Sequence, residues 1–148
     1  MEFNKILIAV DDSAYSMKAA QTGFQLAHRL KAAIGIVYVV DRSQEVSRPD
    51  LGISEQQQHT FLLQEAEQTI KQYVELYDGI DKIFRFTPEG DPKKEIINIA
   101  KQWDADMIVV GTHGRSGLSR LLEGSVAEYV LKHSEVPVLT TPLDIKTS

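Results

Sequence analysis

Residues 107–125 read MIVVGTHGRSGLSRLLEGS. Four apolar residues, 107–110, have the pattern of a buried strand, and Gly111, Gly114 and Gly117 follow before a helix begins. Glycines in such a turn let backbone N–H groups face outward with no Cβ in the way. The helix adds its unpaired amides and the positive end of its dipole, so the segment suits an anion and a phosphate above all. The spacing is Gly111, two residues, Gly114, nine residues, then Gly124 and Ser125. Arg115 and Arg120 are charge-assisted donors for phosphate oxygens or ordinary surface charges, and the plain alternative for the whole segment is a structural turn that binds nothing. His113 sits inside the turn, where a histidine is more often a bystander than a base.

Outward from that segment, short β-branched runs alternate with stretches of helical period, the pattern of an α/β domain with a mainly parallel sheet. Residues 6–10, Ile-Leu-Ile-Ala-Val, are apolar at every position, as a strand covered on both faces must be. A helix starts at Ser13 or its neighbours, with Ala20, Gly23, Phe24, Ala27 and Leu30 at three-or-four spacing. Residues 34–40 form the second strand, and the polar, aperiodic segment 41–53 is expected to be a mobile loop over a site. Residues 54–77 read as a long helix with Leu63, Ala66, Ile70, Tyr73, Val74 and Tyr77 on one face. Residues 83–87 make a third strand whose alternation suits a sheet edge. Asp91 caps the next helix with Pro92 at its first position, and Ile96, Ile97, Ala100 and Trp103 face the core. Residues 125–133 form the last helix and 136–140 the fifth strand. The aromatic residues Phe61, Tyr73, Tyr77, Phe84, Phe86 and Trp103 are read as core.

The chain has 148 residues, enough for one domain over 1–148 that buries roughly 70% of its unfolded surface. Hydrophobic residues are 43% and charged residues 25%, the balance of a globular protein. With 16 Lys and Arg against 21 Asp and Glu the net charge is −5, which argues against a general nucleic-acid binder and leaves any anion to local donors. There is no cysteine, which excludes disulfides, thiolate metal sites and cysteine nucleophiles. The amino terminus lacks a secretory pattern and no apolar run approaches a membrane span, so a cytoplasmic location is expected. His28, His59 and His133 show no ligand-like spacing to acidic residues.

The glycine spacing resembles the nucleotide signature of the universal stress protein family, whose ATP-binding members carry Gly, two residues, Gly, nine residues, Gly and Ser or Thr. The resemblance covers nearly the whole chain. Lys5-Ile6-Leu7-Ile8-Ala9-Val10-Asp11 followed by Ser13 is similar to the family's first strand and its adenine-side aspartate. Tyr38-Val39-Val40-Asp41 resembles the end of its second strand, and Val136-Pro137-Val138-Leu139 its last. Thr140-Thr141-Pro142 departs from the apolar continuation of many relatives. The resemblance implies a Rossmann-like, three-layer sandwich, similar to the adenine nucleotide alpha hydrolases, with a five-stranded parallel sheet in the order 3-2-1-4-5. It implies ATP across the carboxyl ends of strands one, two and four, with Asp11 and the Val39 backbone at the adenosine and Gly111, Gly114, Gly124 and Ser125 at the phosphates. ATP would normally bring Mg²⁺ with it. It also implies a homodimer through strand five. Asp11 has a plain alternative as a helix cap beside Ser13.

Other nucleotide folds fit less well. The spacing is wrong for the dinucleotide fingerprint, and no Gly-Lys-Ser or Gly-Lys-Thr builds a P-loop. Asp11-Asp12 resembles the acidic pair of receiver domains, but strand three runs into Thr87-Pro88 and Thr141 precedes Pro142, where a receiver needs an acceptor aspartate and a lysine. Three functions remain: a nucleotide-responsive binding module, a slow ATPase, and a nucleotide-free interaction protein. Turnover needs a positioned water and an organised metal, whereas the motif supplies phosphate donors only.

Overall fold

The computed structural model describes residues 2–41, 50, 52–77, 82–112 and 125–142. Strands and helices alternate along the chain: β1 (Lys5–Ala9), α1 (Ala14–Leu30), β2 (Ala33–Val37), α2 (Glu55–Glu75), β3 (Ile83–Phe86), α3 (Pro92–Trp103), β4 (Met107–Gly111), α4 (Ser125–His133) and β5 (Val138–Thr141). All four strand pairings are parallel, in the order β3-β2-β1-β4-β5. The implied order is therefore observed, with β1 at the centre and β3 and β5 at the edges.

The continuous apolar character of β1 follows from its position. Ile6, Ile8 and Val10 pack with Phe24 and Ala27 of α1 and with Ile70 and Tyr73 of α2. Leu7 and Ala9 point the other way, to Ile96, Ile97 and Ala100 of α3 and Val130 of α4. The period of two along the strand thus feeds two separate cores, one on each side of the sheet. Full burial of one such isoleucine or leucine contributes about 1.5–3 kcal/mol, so this strand anchors both layers.

Helix boundaries follow local chemistry. Ser54 and Gln57 form a reciprocal capping box at the start of α2, and the Asp91 side chain accepts from Lys93 N in front of Pro92. Several expectations need correction. Phe61 and Phe84 are exposed, not core. Phe61 lies off the buried stripe of α2, and Phe84 stands on an edge strand with Trp103 at 5.6 Å on one side. Leu30 is exposed at the last turn of α1. Strand β5 begins at Val138 and reaches Thr141, later than the 136–140 expected, because the Ser134 hydroxyl donates to Val136 O and accepts from Val136 N, holding that residue in a turn. Thr141 pairs with Gly111 and is buried, so the polar end of the strand remains in the sheet.

Hydrogen bonding reaches further toward the carboxyl end on the flanks of the sheet than along its central strand. The ladder of β1 ends at Ala9 opposite Val37 on one side and at Ile8 opposite Val109 on the other. The flanking pairs run on: Tyr38 N donates to Phe86 O, Val40 N to Pro88 O and Gly90 N to Val40 O. On the far side Val110 and Gly111 pair with Thr140 and Thr141, and Thr112 N donates to Thr141 O. Pairing along the central strand stops first, which leaves a notch in the ladder at the carboxyl end of the sheet where the strand order reverses. Ligands of open α/β sheets bind at such a point.

Candidate functional site

Asp11 is the first residue of the turn from β1 into α1, and its carboxylate organises that turn. Oδ1 accepts from Ser13 N at 2.8 Å, from the Ser13 hydroxyl and from the Ser16 hydroxyl at 2.8 Å. The Asp11 N–H donates to Ser16 Oγ at 2.7 Å. Ser13 occupies the N-cap of α1 but makes no side-chain cap bond, since its hydroxyl is turned to Asp11. Ser13, not Asp11, is therefore the cap residue, and Asp11 braces the turn in front of the helix at the rim of the notch. From α2, the Tyr73 hydroxyl donates to the Asp11 carbonyl at 3.3 Å. Burial first, then the charges of Asp11 and Asp12, push the Tyr73 pKa up to about 12 against a smaller lowering effect of the Ser16 hydroxyl. The hydroxyl is therefore a standing donor.

Val39 lies past the last paired residue of β2 and is buried with Val37, Leu7 and Ala9. Its neighbours Tyr38 and Val40 turn their N–H groups toward Phe86 O at the end of β3 and Pro88 O beyond it. Backbone groups of successive strand residues point to opposite neighbours, so those of Val39 are directed to the β1 side, whose last bond to this strand is Val10 N to Val37 O at 2.9 Å. Gly111 ends β4 on the other flank. Asp11, Val39 and Gly111 thus all stand at the carboxyl end of the sheet. Ser125 is the first residue of α4. Gly114, Arg115 and Gly124 lie outside the described residues, as do His113, Arg120 and most of the expected loop 41–53.

Sequence reading missed two members of this cluster. Ser16 was not singled out, although a serine on the same buried face as Ala19, Ala20 and Gly23 is a signal for a bonded hydroxyl. Tyr73 was read only as core. Nearby, His59 of α2 meets Glu89 at 2.6 Å, tying the start of α2 to the residue bridged with Val40. A second concavity of about 300 Å³ lies between α3 and α4 at the opposite end of the sheet, over Ile97, Ala105, Ile108 and Val136.

The model of the universal stress protein family matches residues 2–142. The chain belongs to that family. Universal stress protein MJ0531 of Methanocaldococcus jannaschii is 38% identical over 143 residues, covering 93% of this chain and 81% of the relative. The universal stress protein UspA from Lactobacillus plantarum has the same architecture, with a TM-score of 0.75, 26% identity, and coverage of 95% of this chain and 98% of that one. A universal stress protein solved in complex with cAMP shares the fold at a TM-score of 0.66 and 22% identity, covering 97% of this chain and all of that one (100%). In this family member, no helix among the described residues is long and apolar enough to cross a membrane. Among the same residues no group of three or more His, Cys, Asp or Glu is arranged to hold a metal ion.

Proposed function

We propose that this universal stress protein binds ATP at the carboxyl-end notch and acts as a nucleotide-responsive module whose affinity for a protein partner changes with occupancy. The observation that carries the reading is the early end of pairing along β1 between flanks whose bonds run on, with Asp11 just past its tip and Gly111 beginning the glycine spacing on the β4 flank. In this reading Asp11 and the Val39 backbone take the adenosine, while Gly111, Gly114, Arg115, Gly124 and Ser125 take the phosphates. The amino end of α4 supplies further N–H groups and a positive dipole end on that side. Mg²⁺ would come with the phosphates. The cAMP complex of a distant relative supports the reading at the level of the fold alone.

The same reading puts the protein in the cytoplasm as a two-fold dimer through β5. The edge position of β5 and the partial burial of Val138 and Leu139 support this, because an unpaired apolar edge invites a second chain. The test of ligand choice begins by denaturing purified protein and identifying any released small molecule. Nucleotide-free protein is then melted with ATP and with GTP. ATP at a hundredfold excess over its Kd is expected to stabilise by about 2.7 kcal/mol, and GTP by less. Equal shifts overturn the adenine assignment, and no shift with either overturns nucleotide binding. For the dimer, mass in solution is compared between the intact chain and a folded Val138→Asp variant, and a variant that stays dimeric removes β5 as the interface.

A further inference from the structure

Two buried hydroxyls from different helices converge on one residue of the notch. Ser16 of α1 accepts from the Asp11 N–H and donates to Asp11 Oδ1. Tyr73 of α2 donates to the Asp11 carbonyl. Asp11 is thus gripped at its backbone N–H, its backbone carbonyl and its carboxylate. Tyr73 is only 6% exposed and Ser16 likewise 6%, so neither side chain has room to swing. The Tyr73 ring is packed in the cluster that holds Ile8, Val10, Ala20 and Phe24. A phenylalanine and an alanine would fill these places without the cost of burying a hydroxyl. The bonds bought by that cost go to the turn at the ligand end, and none of them joins the strands to one another.

We propose that Tyr73 and Ser16 are positioning residues that set the base selectivity of the site by holding Asp11 at a fixed place on the rim of the notch. The inference rests on the reading that Asp11 lies on the adenosine side. A carboxylate discriminates between adenine and guanine edges only if its oxygens stay where one edge offers a donor and the other does not. Freed from Tyr73, the Asp11 carbonyl and the turn behind it relax, and the carboxylate follows either base. The phosphate end of the site, on the β4 side, does not depend on this grip.

The test uses the full chain and three ligands, ATP, GTP and inorganic tripolyphosphate, titrated by calorimetry into the intact protein, Tyr73→Phe, Ser16→Ala, Asp11→Ala and Asp11→Ala/Tyr73→Phe. Tyr73→Phe is expected to lower the ratio of ATP to GTP affinity roughly two- to tenfold, the effect of one hydrogen bond, and to leave tripolyphosphate unchanged. In the Asp11→Ala background the Tyr73 change should have no further effect on the ratio. A parallel loss for all three ligands, an unchanged ratio, or a Tyr73 effect that persists without Asp11 each overturns the proposal. An intact protein that binds no nucleotide, or an Asp11→Ala variant that keeps full selectivity, overturns the underlying reading instead. Amide hydrogen exchange separates the two cases without any ligand. The Asp11 to Ser16 segment must exchange faster in folded Tyr73→Phe than in the intact chain, and equal exchange removes the positioning role.

Discussion

Asp11 and Asp106 are both aspartates at strand ends whose carboxylates accept backbone N–H groups, yet they do different work. Asp106, before β4, accepts from Asn4 N at 2.8 Å and Lys5 N at 2.9 Å, and its own N–H donates to Lys5 O at 2.7 Å. It staples the amino ends of β1 and β4, which are about a hundred residues apart in the chain. Lys5 Nζ adds a bond to Trp103 O at 3.1 Å and lies over the Trp103 ring. The Asp11 carboxylate accepts from Ser13 and Ser16, two and five positions along the chain. The amino end of the sheet uses a carboxylate to close a long loop, and the carboxyl end uses one to shape a turn. The first arrangement contributes stability, whereas the second prepares a surface.

The division is open to direct attack, beginning with the largest effect. Asp106→Ala removes two charge-assisted bonds at a partly buried site and should destabilise by about 3 kcal/mol, given about 1.5–3 kcal/mol for a hydrogen bond to a charged group. The melting temperature should fall by roughly 6–12 °C with ATP affinity intact. A matching loss of ATP affinity breaks the comparison. Gly35→Ala acts at the same wall. A Cβ there would stand 2.8 Å from Trp103 Cζ3 and 3.1 Å from both Leu7 Cδ1 and Phe86 Cε2. Overpacking of this kind costs about 1–3 kcal/mol, again with no consequence for ligand binding, as paired melting and titration would establish.

At the carboxyl end the balance reverses. Asp11→Ala is expected to cost about 1 kcal/mol of stability, the scale of a lost helix cap, while weakening ATP and sparing tripolyphosphate. If Asp11→Ala proves more damaging to folding than Asp106→Ala in denaturant titrations, the two roles have been exchanged.

The smallest effect is confined to alkaline solution. The Tyr73 pKa is raised from 10.0 to about 12, so above about pH 10 the unfolded chain loses that proton while the folded chain keeps it. Stability is then unaffected below about pH 10 and declines as pH rises toward about 12. Tyr77, whose pKa burial also raises, acts in the same direction. Tyr73→Phe should flatten the decline, measured as stability against pH in urea; an unchanged slope would show that Tyr73 is not held as described.

Periodicity and punctuation made most of the fold legible. The unbroken apolar run at 6–10 announced a strand covered on both faces, and Asp91-Pro92 announced the start of α3, because covering and capping are written in adjacent residues. Phe61 and Phe84 misled, since aromatic character does not say whether a strand lies at an edge or a residue lies off the buried stripe of its helix. The glycine spacing and Asp11 pointed to the carboxyl end through a local chemistry of turns and helix ends. Neighbourhood across the chain was another matter. The order of strands came from family resemblance, and nothing in residues 6–10 or 107–111 states that they lie side by side.

The amino-acid sequence by itself determined the alternation of strands and helices, the two-faced burial of β1, the absence of cysteine chemistry and the run of glycines after β4. Only the tertiary structure decided that pairing along β1 ends before that on its flanks, that Asp106 closes the far end and that Tyr73 reaches the Asp11 carbonyl from 62 residues away. The reason is physical: strand pattern and turn chemistry act over a few residues, whereas the reach of pairing between strands and a hydroxyl aimed across a core exist only once the layers have packed.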